Sequence, residues 1–295
     1  MSLLLNTQPK NAASFYNGVI TSSLRFNEVS NSRLDSPSFA SDGGDTWSWS
    51  AWVKLCDQGT RQCLFGRAGN NAGLFFNDTV GTNQFQFNDD GAVVCTAPAI
   101  RRDPSAWYHV TINGNGTINK LWVNGVQQTF DSNPNLGKIN EAVVHYIGMG
   151  ISTTYSYDGQ IADVNFVDGT ALDYTAFAEF NNGILIPIEP SVTYGDNGFR
   201  LQFKGTGTSA NSSGIGADTS GNDSHFTVVN LNAHDVLPDN PENNFCTMNP
   251  LVKTSSTTAQ SEGNLKLVQS GQAYSFFQST FSMRTGKWYA ECRVN

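Results

Sequence analysis

The 295-residue chain is poor in charge, above all in positive charge. Asp, Glu, Lys and Arg make up 14% of it, whereas an average soluble domain has about 25%. Lys and Arg together number 17 against 25 Asp and Glu, and the formal net charge is −8. The densest basic pair, Arg101-Arg102, is followed at once by Asp103. Because proteins that bind nucleic acids usually carry a basic stripe or patch, we expect no nucleic-acid partner.

Long apolar runs are also missing. A membrane-spanning helix needs about 18 or more consecutive apolar residues, and the chain has no such run. Residues 3–5 are leucines, but Asn6 ends the run, which is far shorter than the roughly 7–15 apolar residues of a signal peptide. We therefore predict synthesis in the cytoplasm without a signal peptide, and no insertion into a membrane.

The five cysteines and four histidines form no metal-binding pattern. No CxxC or HxxxH spacing of the kind found in zinc sites occurs, and an odd number of irregularly spaced cysteines is a poor disulfide framework. We expect free buried thiols. A disulfide between Cys56 and Cys63 across a hairpin is the alternative.

What the sequence does contain is strict two-residue alternation in three segments, Thr46–Leu55, 107–127 and 157–172. Such alternation predicts strands with one face on a core. In the first segment the tryptophans at 47 and 49 lie on the predicted core face. Trp52 interrupts the polar face, so it either covers a neighbouring loop or is exposed.

Turn signals separate many further short segments, which predicts an all-β fold. Asn-Gly pairs at 113–114, 115–116 and 124–125 favour hairpins. About a dozen short strands of this kind are typical of an antiparallel β-sandwich. Phe85 and Phe87 should share one face, and only residues 173–180 favour a helical turn. The other predicted strands cover 19–27, 64–66, 74–77, 84–88, 107–112, 119–126, 142–148, 160–168, 199–204 and 226–231.

Composition divides the chain into four predicted parts. Residues 1–18 form a polar arm, either flexible or an anchor, and residues 19–205 form the sandwich. Residues 206–245 form a Gly/Ser/Asn-rich connection with a short strand, and its first part, 206–222, is either a long loop or a linker. In residues 246–295 the strand pattern restarts, with strands over 265–268, 273–281 and 286–294. We expect a second, partial β unit there and a natural protein that continues past Asn295.

The motifs W-Y-H-V at 107–110, K-L-W-V-N-G at 120–125 and Y-D-G-Q-I-A-D-V-N-F-V-D-G-T-A-L at 157–172 resemble the laminin-G-like (concanavalin A-like) jelly roll. The segments 24–27 and 49–54 fit the same family, and the resemblance covers about residues 23–204. It implies an antiparallel β-sandwich that serves as a binding or structural module.

Two later segments resemble tail-fibre-like structural proteins of marine tailed bacteriophages. They are the junction at 216–231 and 241–251, and F-S-M-R-T-G-K-W-Y-A-E-C-R-V at 281–294, which is similar to the opening strand of SPRY domains. The resemblance implies a virion protein, made in the host cytoplasm, whose partners are other virion proteins and host-surface glycans. By analogy with fibres, it implies a homo-oligomer, most simply a trimer, with the N-terminal arm as the docking segment.

Sugar binding needs aromatic rings that stack on pyranose faces. The candidates are Trp122, Tyr155 and Tyr157. The alternative is that these rings pack under loops or against a neighbouring subunit.

Many modules of this family hold Ca²⁺ at one end of the sandwich. Calcium takes oxygen ligands from Asp, Asn and loop carbonyls, and Asp89, Asp90 and Asp158 are the candidates. The alternative is that each aspartate forms a turn. No cofactor is otherwise implied.

Catalytic signatures are missing. Related glucanases share the jelly roll but need two carboxylates that flank the bond, usually as E-x-D-x-x-E, and this pattern is absent, as is G-x-S-x-G. His109 lies mid-strand and is expected to be structural.

We therefore predict a non-enzymatic virion protein, most simply a tail fibre with a lectin-like sandwich. The alternatives are an architectural capsid decoration or fibre shaft, and a depolymerase with an unrecognised site.

Overall fold

The computed structural model describes residues 15–40, 43–77, 79, 81–89, 91–132, 135–253, 258–269, 276–287, 289, 291 and 293. Its strands are β1 Ser23–Phe26, β2 Arg33–Asp35, β3 Thr46–Leu55, β4 Gln62–Arg67, β5 Gly73–Phe76, β6 Phe85–Asp89, β7 Ala92–Thr96, β8 Trp107–Asn115, β9 Asn119–Val123, β10 Val126–Gln128, β11 His145–Ile147, β12 Gly159–Asp168, β13 Ala178–Asn181, β14 Ile184–Pro187, β15 Phe199–Leu201, β16 Thr227–Val229, β17 Val236–Leu237, β18 Met248–Lys253, β19 Thr258–Ser261, β20 Lys266–Gln269 and β21 Phe277–Ser279. Short 3₁₀ helices cover Gly137–Asn140, Thr153–Tyr155, Tyr174–Ala176 and Ala233–Asp235.

Two antiparallel sheets form the sandwich. The first sheet has the order β10-β9-β8-β3-β12-β1-β17, with β15 also paired to β12. The second sheet has the order β16-β2-β11-β4-β5-β6-β7. The predicted all-β sandwich is therefore confirmed. The helical turn predicted within 173–180 is the 3₁₀ helix Tyr174–Ala176, but the prediction that no other segment forms one is wrong, since three further 3₁₀ helices are present among the described residues.

The core between the sheets contains many aromatic rings. Trp47 and Trp49 of β3 are fully buried there, as the alternation predicts. The Trp49 ring stacks on Phe65 of β4 with centroids 6.0 Å apart, and Phe166 of β12 stacks on Phe199 of β15 at 5.7 Å. Aromatic pairs of this kind add to the free energy gained from burying their large surfaces.

The outer face of the first sheet is also covered, which the sequence left open. Trp52 is buried in a second cluster with Ile20, Trp107, Ala162 and Ala178. The cover comes from the chain before β1 and from the hairpin β13–β14. Trp52 therefore covers neighbouring chain, and the alternative that it is exposed is excluded.

Residues 206–245 are packed on the sandwich rather than free of it. Ile215 and Phe226 are fully buried in the main core, β16 pairs with β2 and β17 pairs with β1. Of the two alternatives for residues 206–222, the burial of Ile215 agrees with a long loop on the sandwich and not with a linker. The composition misleads because a few apolar side chains are enough to attach a loop whose other residues form turns.

The C-terminal strands form two small hairpin-like pairs, β18–β21 and β19–β20. The turn of β19–β20 contacts the end of the sandwich, where Gly263 N–H donates to Asp158 Oδ1 at 3.2 Å and Asn264 Nδ2 donates to the Cys56 carbonyl at 2.8 Å. Of the predicted strand 273–281, the structure shows β21. The described residues between 282 and 293 lie in no strand, which differs from the prediction for 286–294.

Some predictions fall partly or wholly on residues that the structure does not describe. These are residues 1–14 of the arm, Asp90, residues 273–275 and several positions from 288 to 295. The SPRY-like unit thus stays a prediction.

Cys56 is a free buried thiol, so the alternative disulfide with Cys63 is not formed. Within the described part of the chain, no helix is long and apolar enough to span a membrane.

Candidate functional site

A polar cleft lies where the end of β1 meets two segments from late in the chain. Its volume is about 230 Å³, below the roughly 300–1,000 Å³ of pockets for drug-sized ligands, so it suits a small ligand. The cleft combines guanidinium, amide, hydroxyl and carboxylate groups. Its lining residues are Arg25, Asn27, Ser30, Ser32, Asn230, Asn232, Asp235 and Glu262.

Strand alternation places the central residue of the polar cleft. Leu24 and Phe26 of β1 are fully buried in the core, so Arg25 between them points to the opposite face. The Arg25 Nη2 atom lies 2.6 Å from Asp235 Oδ1 and 3.1 Å from Glu262 Oε2. One guanidinium thus faces two carboxylates, and the centre of the cleft carries a net negative charge.

One N–H donor of the Arg25 side chain makes no hydrogen bond to the described residues. Its Nε atom is buried and has no hydrogen-bond partner among the described residues. A buried donor without a partner costs about 1–3 kcal/mol. This atom is therefore available for an additional acceptor.

The amides around the polar cleft are held in place by their own hydrogen bonds. Asn27 Nδ2 donates to Glu262 Oε1 at 2.8 Å, and Asn230 Nδ2 donates to the Ser30 carbonyl at 2.7 Å. Asn232 caps the 3₁₀ helix Ala233–Asp235 in a reciprocal capping box with Asp235. These contacts fix the rim before any ligand arrives, so little side-chain entropy remains to be lost on binding.

A set of carboxylates adjoins the polar cleft at the same end of the sandwich. Burial raises the pKa of Asp158 to about 7, the hydrogen bond from Gly263 lowers it, and the charges of Glu28, Asp57 and Glu262 raise it further. The pKa of Glu28 is raised by burial and by Asp57. Burial is thus the main reason that Asp158 gains its proton near neutral pH, and repulsion by the neighbouring carboxylates adds to it.

The predicted calcium residues are not brought together. Asp158 lies just before β12 of the first sheet, while Asp89 ends β6 of the second sheet, where Asn70 Nδ2 is 3.4 Å from its Oδ1. Asp90 lies outside the described residues. The described part of the chain holds no group of three or more His, Cys, Asp or Glu side chains arranged to hold a metal.

The predicted sugar-stacking rings also lie apart. Tyr157 is fully buried and its hydroxyl donates to the Lys54 carbonyl at 2.8 Å, so it has no free ring face and is wrong as a stacking residue. Trp122 is only 7% exposed. Tyr155 is half-buried, with the guanidinium of Arg61 over its ring at 4.2 Å. Trp122 and Tyr157 thus pack within the protein, and the ring of Tyr155 is covered in part by Arg61.

His109 has no access to solvent. It is 1% exposed, its Nε2 lies 2.9 Å from Ser50 Oγ, and burial lowers its pKa to about 3.

A second cavity, of about 70 Å³ between Phe39 and Asn197, has room for only a few water molecules at roughly 30 Å³ each. The polar cleft is therefore the better candidate site.

Sequence reasoning missed the polar cleft. Arg25 and Asn27 come from the start of the chain and Asn230, Asp235 and Glu262 from its end, and no motif links them. The one local signal is the Asn232-x-x-Asp235 spacing, which is typical of a capping box and indicates a turn rather than a site.

Comparison with known proteins places the sandwich in a large class. Residues 28–174 match the family Laminin_G_3, described as the concanavalin A-like lectin/glucanases superfamily. A candidate carbohydrate-binding protein from Bacteroides ovatus superposes with a TM-score of 0.51 at 14% identity, over 71% of this chain and 58% of that chain. A heptameric SAP-like pentraxin from Limulus polyphemus gives a TM-score of 0.42 at 16% identity, over 61% of this chain and 94% of that chain.

A third structure is domain 4 of a GH43 extracellular arabinanase from Geobacillus stearothermophilus, in complex with arabinotriose. It gives a TM-score of 0.36 at 16% identity, over 44% of this chain and 63% of that chain. No curated protein matches the chain. The fold is thus that of a concanavalin A-like lectin/glucanase sandwich, and the chain spans 58% of the Bacteroides ovatus protein.

Proposed function

We propose that this protein is a non-enzymatic bacteriophage virion protein that binds host-surface carbohydrate through the polar cleft. The observation that carries the proposal is the crowding of eight polar residues around a cavity of about 230 Å³ on a lectin-like sandwich. Sugar hydroxyls both donate and accept hydrogen bonds, so they match a site that mixes amides, a guanidinium and carboxylates. The carbohydrate-binding description of the Bacteroides ovatus protein, which shares the fold, supports the proposal.

The charge of the polar cleft indicates which sugars fit. Two carboxylates and one guanidinium at its centre disfavour an acidic sugar, because like charges repel in a partly desolvated site. We expect neutral or amino sugars. The small volume indicates one or two rings rather than a long chain.

The arrangement of the carboxylates supports binding rather than hydrolysis. Glycosidases use one protonated carboxyl as acid and one carboxylate as base or nucleophile on either side of the scissile bond. In the polar cleft, Asp235 and Glu262 instead bond the same guanidinium of Arg25. Both carboxylates therefore serve to hold Arg25.

The virion assignment rests on the phage-like segments at 216–231, 241–251 and 281–294. The first of these segments packs on the sandwich through Phe226 and contributes Asn230 to the polar cleft.

A glycan array with the full chain tests the binding. We expect wild-type protein to bind a set of neutral or amino sugars, and Asn27→Ala and Asn230→Ala to lose at least about tenfold in affinity, since each removes a rim amide worth roughly 1.4 kcal/mol. Asn243→Ala, at an exposed position outside the polar cleft, is the matched control and should bind as wild type. Equal binding by all three variants would place the site elsewhere.

An architectural role is the second candidate, and a specific observation favours it. Several large apolar side chains of the C-terminal part are exposed, among them Leu251, Phe276 and Met283. Exposed apolar groups of this kind often contact other proteins. Absence of glycan binding by every oligomeric form, with the chain present in purified particles by mass spectrometry, would support this role. Absence from particles would contradict both candidates.

A further inference from the structure

A lysine is fully buried on the outer face of the first sheet. Lys54 of β3 has no exposed side-chain surface. Its Nζ lies 2.8 Å from Asp239 Oδ2, 2.8 Å from Asn244 Oδ1 and 2.9 Å from the Phe245 carbonyl. All three partners belong to the segment 238–245, which runs over the outer face of the sheet.

The carboxylate beside Lys54 is itself held rigidly. The second oxygen of Asp239, Oδ1, accepts from Trp107 Nε1 at 3.1 Å and from the Phe245 amide at 3.1 Å. The Trp107 ring lies 6.0 Å from the lysine Nζ. Amine, carboxylate and carboxamide thus meet beside an indole with little freedom to move.

The separation of the amine and the carboxamide carbon is near that needed for reaction. Asn244 Oδ1 accepts a hydrogen bond from Nζ at 2.8 Å. With a C=O bond of about 1.23 Å and an ordinary hydrogen-bond angle, the Asn244 Cγ atom lies roughly 3.5 Å from Nζ. Reacting atoms held at about 3–3.5 Å are in a near-attack arrangement.

We propose that Lys54 and Asn244 form an intramolecular isopeptide bond, with Asp239 as the acid–base group. Asp239 takes a proton from the Lys54 ammonium, and the neutral Nζ attacks Asn244 Cγ. The tetrahedral intermediate collapses when Asp239 returns the proton to the amide nitrogen, which leaves as ammonia. The N–C bond to Lys54 forms, the bond from Cγ to Nδ2 breaks, no oxidant is needed, and ammonia leaves as ammonium after taking the remaining lysine proton.

The leaving group has a route out. Asn244 Nδ2 donates to the Ser105 carbonyl at 2.8 Å, and the residue lies at the surface. Ammonia can therefore escape, while the amine and the carboxylate stay buried. Because ammonium at neutral pH does not attack an amide, its escape makes the step effectively irreversible.

The bond would tie together distant parts of the chain. Lys54 and Asn244 are separated by 190 positions, so the product is a closed loop with two tails. The segment 238–245 also holds the chain before β1, since Glu242 accepts from the amides of Gly18 and Ile20, both at 2.8 Å. The crosslink would fix this outer layer on the sandwich.

Intact-mass spectrometry of the purified, folded full chain tests the proposal. We expect a mass lower than the sequence value by one ammonia, and a branched peptide that joins Lys54 to Asn244 after proteolysis. In a denaturing gel the closed loop should migrate faster than a linear chain. A full-length chain at the sequence mass after prolonged incubation in the folded state would overturn the proposal.

Variants separate the crosslink from simple folding effects. Lys54→Arg, Asn244→Ala and Asp239→Asn should each show the sequence mass for the variant, with no branched peptide. Asn243→Ala is the matched control and should still lose ammonia. Loss of ammonia that persists in Asn244→Ala would mean deamidation or cyclisation elsewhere and would also overturn the proposal.

Discussion

The two faces of β3 are both buried, but they are buried by different means. On the inner face, Trp47 and Trp49 pack against rings of both sheets. On the outer face, Ser50 bonds His109 at 2.9 Å and Lys54 bonds Asp239 at 2.8 Å. The inner face needs only apolar neighbours of suitable volume. The outer face needs particular partners for each polar group, and these come from distant parts of the chain.

This difference shows why one strand tolerates two environments. Apolar packing is non-directional, so the inner face follows from alternation alone. A buried polar group costs free energy unless its partner is present with good geometry. The outer face is therefore stable only when the segment 238–245 lies over it.

The largest expected loss of folding stability comes from a substitution on the inner face of β3. Trp49→Ala removes a fully buried ring and should lower the free energy of unfolding by about 4 kcal/mol, as large-to-small core changes do. Denaturant unfolding followed by circular dichroism measures this. Val126→Ala, at an exposed edge position, should change the stability by less than about 0.5 kcal/mol. Similar losses in both variants would contradict the assigned core.

A somewhat smaller loss of folding stability is expected from a substitution on the outer face of β3. Lys54→Met leaves the Asp239 carboxylate buried without its cation and should cost about 3 kcal/mol, with any crosslink adding to the loss. The double variant Lys54→Met/Asp239→Asn should regain part of this stability, because it removes the unpaired charge and keeps an oxygen that accepts from Trp107 and Phe245. If the double variant is less stable than Lys54→Met alone, the loss does not come from the stranded carboxylate.

A smaller effect is expected at the end of the sandwich. The pKa of Asp158 in the folded protein is about 7, above its ordinary value of 3.8, so the folded state holds a proton there that the unfolded state has lost. Stability from this group is therefore present below pH 4 and falls as pH rises toward 7. Asp158→Asn should raise the stability at pH 8 by roughly 1–2 kcal/mol.

The test is to compare unfolding of Asp158→Asn and wild type at pH 8 and pH 5. The gain should shrink at the lower pH, where Asp158 is already neutral. A gain of equal size at both values would show that charge is not its cause.

The last effect is expected only in acid and concerns His109, which bonds Ser50 on the polar outer face. Burial lowers the pKa of His109 from 6.5 to about 3, so the unfolded state binds a proton that the folded state refuses, and stability falls as pH drops below 6.5. His109→Gln should reduce the slope of stability against pH by about 1.4 kcal/mol per pH unit between pH 6 and 4. An unchanged slope in denaturant melts at these pH values would show that His109 is protonated when folded.

The sequence predicted the strands correctly where the signal is a local alternation of apolar and polar residues. The bounds of β3 agree residue for residue, and Phe85 and Phe87 both face the core as expected. For residues 206–222 a long loop and a linker stayed open, because composition does not reveal that Ile215 is a core residue. A Gly/Ser/Asn-rich sequence around an isolated apolar residue is compatible with a packed loop and with a linker.

The candidate site was less accessible to sequence reasoning. Aromatic residues suggest sugar stacking, yet Tyr157 is enclosed in the core and Trp122 is covered. The polar cleft instead uses Asn, Asp and Arg side chains, which in sequence look like turn residues and surface charges.

Short strands with one apolar face follow from the sequence alone, because alternation acts between neighbouring residues. Long-range packing is what covers the outer face of β3 as well and lets residues 206–245 add a strand to each sheet. It also decided that Asn27 meets Glu262 across 235 positions and that Lys54 meets Asn244 across 190. Contacts at such separations depend on how the whole chain packs, and no local pattern encodes them.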